Sequence, residues 1–501
     1  MELVFQENRL TYLAKIFSET VSLEQTADLI IPDSSADCDR VIDSFGTALI
    51  RSEDCGGGSV SVTGYVQAGV LFVTEAGEVR RLETQIPFQV RRELPQTDGV
   101  GQMRSRCTLR SVDARLLNSR KVLVRVGISC AVTVYAAQEH ICYDLSEPAP
   151  TLQLKRTELP LRMPVSLGEK TFPLNEELEL PAGKPPIGRL LKCLCRMQVG
   201  EQKLVGSKAV FKGAAVVRVL YEDADGALNT NEWDVPFSQY AEMERELDDC
   251  ELQTALALTA FEAEPDGQLD SRRVFLSAEV RAQCTAIGQQ KIALIEDAFC
   301  TDGELEPQWD EWRLTGVLDR QTLHETAVLT SDQSAGAIVD AWVYADEPTR
   351  QRDGTAVTME IPLSCNVLYI DADGKPQGRS LRGSATIHTE AAENGQCAMA
   401  DFSGGALFSG ASAAGMELRI PLAVTVETTA EHSLRCVCGG TVEPLSEAEE
   451  KKPAVILRRV GSDEELWDIA KKLRTPVAAI AEANDLQGPT VPADTMLLIP
   501  M

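Results

Sequence analysis

The sequence predicts a mainly β chain: three tandem antiparallel β-sandwich or barrel-like repeats, then a small C-terminal module of βααβ order. Three observations carry this. The chain resembles itself at spacings of 149 and 148 residues, since "VLFVTEAG" ends at Gly77, "VLYEDADG" at Gly226 and "VLYIDADG" at Gly374. Each copy alternates apolar and polar residues with period two, as in "VSVTGYVQAGVLFV" and "LRIPLAVTVETT", the pattern of half-buried antiparallel strands. Near the end the period changes. Leu466, Ile469, Ala470 and Leu473 fall at i, i+3, i+4 and i+7, one face of a helix.

Residues 1–27 form an N-terminal extension. Glu2, Glu7, Arg9, Lys15 and Glu19 interrupt it, so it holds no apolar run of signal-peptide length. No other stretch approaches the roughly 20 apolar residues of a membrane span. The expectation is a cytosolic chain. The repeats occupy residues 28–140, 177–290 and 325–434. Further landmarks keep the spacing: Gly64 answers to Gly213, and Pro32 to Pro181, 149 residues apart in both cases. "LNSRKV" and "LDSRRV" match late in the first two copies, where the third offers "AAGMELRIPLAVTV". The acidic-Gly clusters supply the positive φ that tight hairpins need. "DADG" at Asp223–Gly226 and Asp371–Gly374 looks like the start of a calcium loop, but the bidentate Glu that would close one is missing. "DLSEPAPTLQLKRTELP" and "DGELEPQWDEWRL" read as connectors, and residues 446–453 as a charged linker ended by Pro453.

Composition narrows the function. The chain has 501 residues, with 76 acidic against 48 basic side chains and a net charge of −28. Such a chain repels phosphate backbones and anionic lipid, which argues against nucleic acid and bilayers as partners. Fourteen cysteines include Cys193/Cys195 and Cys436/Cys438, whose spacing places both thiols on one strand face. They read as buried reduced thiols, with no metal or cofactor expected. His140, His324, His388 and His432 stand far apart, and Gly56-Gly57-Gly58 lacks the Lys-Ser/Thr of a phosphate loop. No catalytic constellation is visible, and the chain is expected not to be an enzyme.

The terminal module spans residues 454–501. "VILRRV" gives a strand, Asp463, Glu464 and Glu465 stand at the positive end of the first helix, Thr475-Pro476 caps a second helix through Val477, Ile480, Ala481 and Asn484, and "TMLLIP" closes with a strand. The pattern "LWDIAKKLRTPVAAIAEAND" followed by "MLLIP" resembles a LysM domain. LysM domains usually bind N-acetylglucosamine-containing glycans, peptidoglycan or chitin, in a shallow groove between the first strand–helix loop and the second helix–strand loop. The resemblance implies a partner- or glycan-binding groove at Asp463, Glu464, Glu465, Leu466, Trp467, Asn484, Leu486, Ala493 and Asp494. Both loops depart from the family. Asp463-Glu464-Glu465 stands where Gly-Asp-Thr is typical, and Pro492-Ala493-Asp494 where Pro-Gly-Gln is typical. Each loop loses a glycine and gains an acid, so bulk and charge hinder the backbone's approach to a sugar.

Repeated β units with "VL[FY]xxxxG" and one C-terminal LysM module resemble the SPOCS family of spore-coat proteins. The resemblance implies a non-enzymatic adaptor for coat assembly, acting on the mother-cell side of the forespore surface. Its LysM module would hold a protein partner, the spore-coat morphogenetic ATPase. The other reading is a peptidoglycan-binding protein.

Overall fold

Each unit opens with one long strand and closes with another that runs back along it. The computed structural model describes residues 5–95, 101–145, 151–268, 270–404, 408–412, 415–444, 454–461, 464–486, 488 and 491–500. Unit 1 comprises β1 (Phe5–Ile30), β2 (Cys38–Gly56), β3 (Ser59–Thr74), β4 (Val79–Glu93), β5 (Gln102–Asn118) and β6 (Lys121–Leu145). Unit 2 repeats the plan with β7 (Leu152–Glu179), β8 (Arg189–Val205), β9 (Lys208–Glu222), β10 (Leu228–Glu242), β11 (Glu251–Pro265) and β12 (Arg273–Cys300). Unit 3 has β13 (Gly303–Ser331), β14 (Ala337–Ala345), β15 (Thr349–Asp353), β16 (Ala356–Ile370), β17 (Pro376–Glu390), β18 (Gly395–Gly404), β19 (Phe408–Ser412) and β20 (Gly415–Pro444).

The sheet orders are equivalent: β1-β6-β5 with β2-β3-β4, then β7-β12-β11 with β8-β9-β10. In unit 3, β13-β20-β18 packs with β14-β16-β15, while β19 joins β20 and β17 joins β16. All pairs are antiparallel, and the two sheets of a unit face each other as a sandwich. In unit 1, Val66, Val70 and Phe72 of β3 meet Val122, Val124 and Val126 of β6 in one buried cluster. The turn at "VL[FY]xxxxG" has Gly77, Gly226 and Gly374 at φ +84°, +82° and +76°. Asp223 and Asp371 are spent inside their turns. Asp223 Oδ1 accepts the N–H of Asp225 and Ala227, and Asp371 Oδ1 accepts those of Asp373 and Lys375.

The long strands continue through the segments read as an extension and connectors. Residues 5–27 lie in β1, 152–160 in β7 and 303–314 in β13. The reason is cover. Past the sandwich each pair becomes a two-stranded ribbon with apolar residues at alternate positions, and the three ribbons bury them together. Tyr12, Leu161, Met163, Ile292, Leu294, Leu314 and Leu434, drawn from all three units, form one cluster. Bulges break the register at Lys15/Phe17, Ala286/Ile287 and Val317/Asp319, where the ribbons leave the sandwiches and must bend.

At the other end the inner sheets meet around a pseudo-threefold axis. One cluster joins Ile42, Leu191 and the half-buried Val339, then Phe45, Leu194 and the half-buried Trp342, then Leu71, Leu220 and Leu368. Within each trio the residues are 149 and 148 positions apart, the repeat spacing. The trio Asp43, Lys192 and Asp340 keeps the same spacing and is buried at the centre. Lys192 Nζ lies 2.7 Å from Asp43 Oδ2 and 2.9 Å from Asp340 Oδ2. Arg218 Nε adds 2.7 Å to Asp340 Oδ1. Burial pushes both carboxyls up. At Asp340 two cations outweigh it and hold the group below the ordinary carboxylate range, whereas Asp43, with Lys192 alone and Asp340 nearby, stays above it. All fourteen cysteines are free, and burial pushes the Cys195 thiol up to about 12.

The C-terminal module has β21 (Val455–Arg459) paired with β22 (Met496–Pro500), and between them α1 (Leu466–Leu473) and α2 (Val477–Ala483). The linker 446–453 and Asp463 lie outside the described residues. The second helix begins one residue later than its Thr-Pro signal implies. Pro476 is the cap residue, and the Thr475 hydroxyl donates back to the Leu473 carbonyl at 3.3 Å.

Candidate functional site: the C-terminal module and its seat

Leu466, Ile469, Ala470, Ile480, Leu497 and Ile499 close the module's small core, and Leu466 is 1% exposed. Asn484 ties the second helix to the last strand. Its Nδ2 donates to the Ile480 carbonyl at 2.8 Å and the Leu498 carbonyl at 2.6 Å, while its Oδ1 accepts the Leu498 N–H at 2.7 Å. Leu486 is half-buried against the same core. Glu464 closes the first loop on itself, accepting the Gly461 N–H at 2.9 Å and pairing with Arg458 at 2.6 Å. Ala493 and Asp494 are exposed in the second loop. Asp494 takes φ +68° and pairs with Arg459 at 2.9 Å.

Trp467 and Glu465 face the β body. Phe299, near the end of β12, belongs to the module's buried core, and Trp467 meets it edge-on with ring centroids 5.0 Å apart. Trp467 Nε1 donates to Asp297 Oδ2 at 2.8 Å, and Lys471 Nζ lies 2.7 Å from both oxygens of that carboxylate. Lys155 of β7 reaches Glu465 at 2.9 Å, and Arg474 reaches Glu304 of β13 at 3.6 Å. Trp467, Lys471 and Arg474 follow at i, i+4 and i+7, so one stripe of α1 and its C-cap docks while the adjacent stripe fills the core. The body residues of this seat carry no local motif. Nothing in the sequence singled out Asp297 and Phe299, which take this role only because β12 runs on past its sandwich.

The opposite side of the module is open. Val455, Leu457, Met496 and Leu498 point outward from β21 and β22 and are 49%, 66%, 56% and 38% exposed. Leu457 and Leu498 are directly paired across the two strands. This aliphatic face was not singled out from the sequence, though its signal is there: "VILRRV" and "MLLIP" have apolar residues at both parities, so one set had to face out.

Comparison with known families agrees with this architecture. A LysM domain model matches residues 459–500, and a model described as "SipL, SPOCS domain" matches residues 186–264, within unit 2. Neither is an enzymatic family. Comparisons with curated proteins and with solved structures give no match. No helix among the described residues is long and apolar enough to cross a membrane.

Proposed function

We propose that the chain is a non-enzymatic adaptor for spore-coat assembly, and that its LysM domain anchors it to a coat-basement protein, the morphogenetic ATPase, on the mother-cell side of the forespore surface. The SPOCS and LysM matches support a sporulation role. The observation that carries the choice of a protein partner over a sugar is Trp467. It is the module's one aromatic residue, and sugars stack on aromatic faces. Here its indole N–H is held by Asp297 and its ring by Phe299. The module instead presents aliphatic side chains outward, a surface suited to protein contact. Glu464, Ala493 and Asp494 stand in the altered loops, and the two acids disfavour close approach of a glycan.

The competing reading is a peptidoglycan- or chitin-binding protein, which rests on the LysM match itself. Calorimetric titration of the full chain separates the two. Heat is expected on mixing with the coat ATPase and none with chitin oligomers or muropeptides. The Leu457→Ser/Leu498→Ser double variant should weaken ATPase binding about tenfold or more, roughly 1.4 kcal/mol, with an unchanged melting temperature. Binding to the sugars alone would replace the adaptor reading with the glycan one.

A further inference from the structure

A cavity of about 240 Å³ opens where the three units converge. Gly46 of β2, Cys195 of β8 and Val343 of β14 line it, again 149 and 148 residues apart, so it lies along the pseudo-threefold axis. Its wall is largely apolar. Met197, Leu256, Met399 and Phe402 line it and are only half-buried, so they border an opening and do not fill a packed core.

Two cations reach this cavity. Arg106 has a partner, Asp401 at 2.9 Å. Arg196 has no ion pair among the described residues. Its guanidinium lies 5.6 Å from the centre of the Trp342 ring, and its Nε is buried without a hydrogen-bond partner. Glu232 and Asp234 act on it from beyond ion-pair distance, and Glu232 is engaged by Arg218 at 3.3 Å. The equivalent positions in units 1 and 3 are Thr47 and Tyr344, so the cation is not part of the repeated framework. A partly desolvated guanidinium without a direct ion-pair partner is costly. An anion entering the cavity would remove that cost, and the apolar wall would take up whatever is attached to it.

We propose that this cavity binds a small amphipathic anion, an acyl or aryl carboxylate whose carboxylate meets Arg196 and whose apolar body lies against Met197, Leu256 and Phe402. The volume is below the ~300–1,000 Å³ typical of sites for drug-sized ligands, which limits the body to a short chain or a single ring. The site is independent of the LysM module and of the adaptor role.

The test titrates the full chain with octanoate and, as a neutral analogue, octanol. Octanoate is expected to bind at one site, at least about tenfold tighter than octanol. Arg196→Met should weaken octanoate about tenfold or more and leave octanol unchanged. Its melting temperature should not fall, because an unpaired buried charge is removed. Leu256→Trp, which fills the cavity while keeping Arg196, should weaken both probes. Absence of octanoate binding by the wild-type chain, or binding that neither variant changes, would overturn the proposal.

Discussion

Asp297 joins two side chains of the module, Trp467 and Lys471, to the β body through one carboxylate. Burial alone would raise its pKa, but the hydrogen bonds from Lys471 and Trp467 outweigh burial and hold the group below the ordinary carboxylate value. A depressed carboxyl contributes stability that is present above its unfolded value and lost as pH falls through its folded one. The docked state should therefore persist unchanged from neutral pH down to the ordinary aspartate value of about 3.8, and weaken only below it. The probe is Trp467 fluorescence, taken as the difference between the wild type and Trp467→Phe. Undocking near pH 6 would contradict the assignment. Asp297→Ala leaves Trp467 Nε1 and Lys471 without their acceptor. It should release the module at neutral pH, seen as a red shift of the same signal with the β body's melting unchanged. The Lys155–Glu465 pair is largely exposed, and its removal should matter less.

At the scale of elements, the glycines that mark the repeat do two different jobs. Gly77, Gly226 and Gly374 turn hairpins at positive φ. Gly64 and Gly213 sit in mid-strand because a side chain does not fit there. A Cβ on Gly213 would lie 2.0 Å from the Gln198 carbonyl oxygen and 2.7 Å from the Phe237 ring, and one on Gly64 would meet Leu49 O and Phe88 in the same way. The carbonyls belong to paired strands and cannot give way. Gly213→Ala should destabilise unit 2 by about 1–3 kcal/mol, read by denaturant unfolding. Gly77→Ala has open space around it and should cost only the left-handed backbone strain, about 1–2 kcal/mol. Equal stability of Gly213→Ala and wild type would mean that β8 and β9 are not paired as described. The third copy has Ile361 at the equivalent position, so the close strand approach belongs to the first two units.

For the whole molecule, the three units are one folded body. Each interface carries an arginine across it: Arg281 to Glu53 at 2.6 Å between units 2 and 1, Arg110 to Asp346 at 3.0 Å between units 1 and 3, and Arg320 to Gln253 at 2.6 Å between units 3 and 2. The axis itself is closed by Lys192 between two buried carboxylates. A strictly repeated acid there would place like charges together, so the middle copy supplies the cation and makes the units non-interchangeable. Lys192→Met leaves Asp43 uncompensated in an apolar core and Asp340 with Arg218 alone. It should cost about 3–5 kcal/mol and split the single calorimetric transition of the β body into separate ones. An undiminished single transition would show that the apolar trios alone hold the axis.

Local chemistry determined much of this protein before any fold was known. Strand period, hairpin glycines, the repeat spacing and the βααβ module are each written within a few consecutive residues, because alternation, positive φ and helical spacing act over short distances. The charged residue inside three apolar strands, in "VIDSF", "LLKCL" and "IVDAW", was not singled out from the sequence, because neither its partners nor its sign pattern has meaning until the copies meet. Only the tertiary structure decided that Asp43, Lys192 and Asp340 share one buried centre, that the long strands outrun their sandwiches to form a common ribbon core, and that Asp297 and Phe299 receive the LysM module. These contacts join residues more than a hundred positions apart. Their energies depend on burial and on opposing charge, which exist only once the three units have closed around one axis.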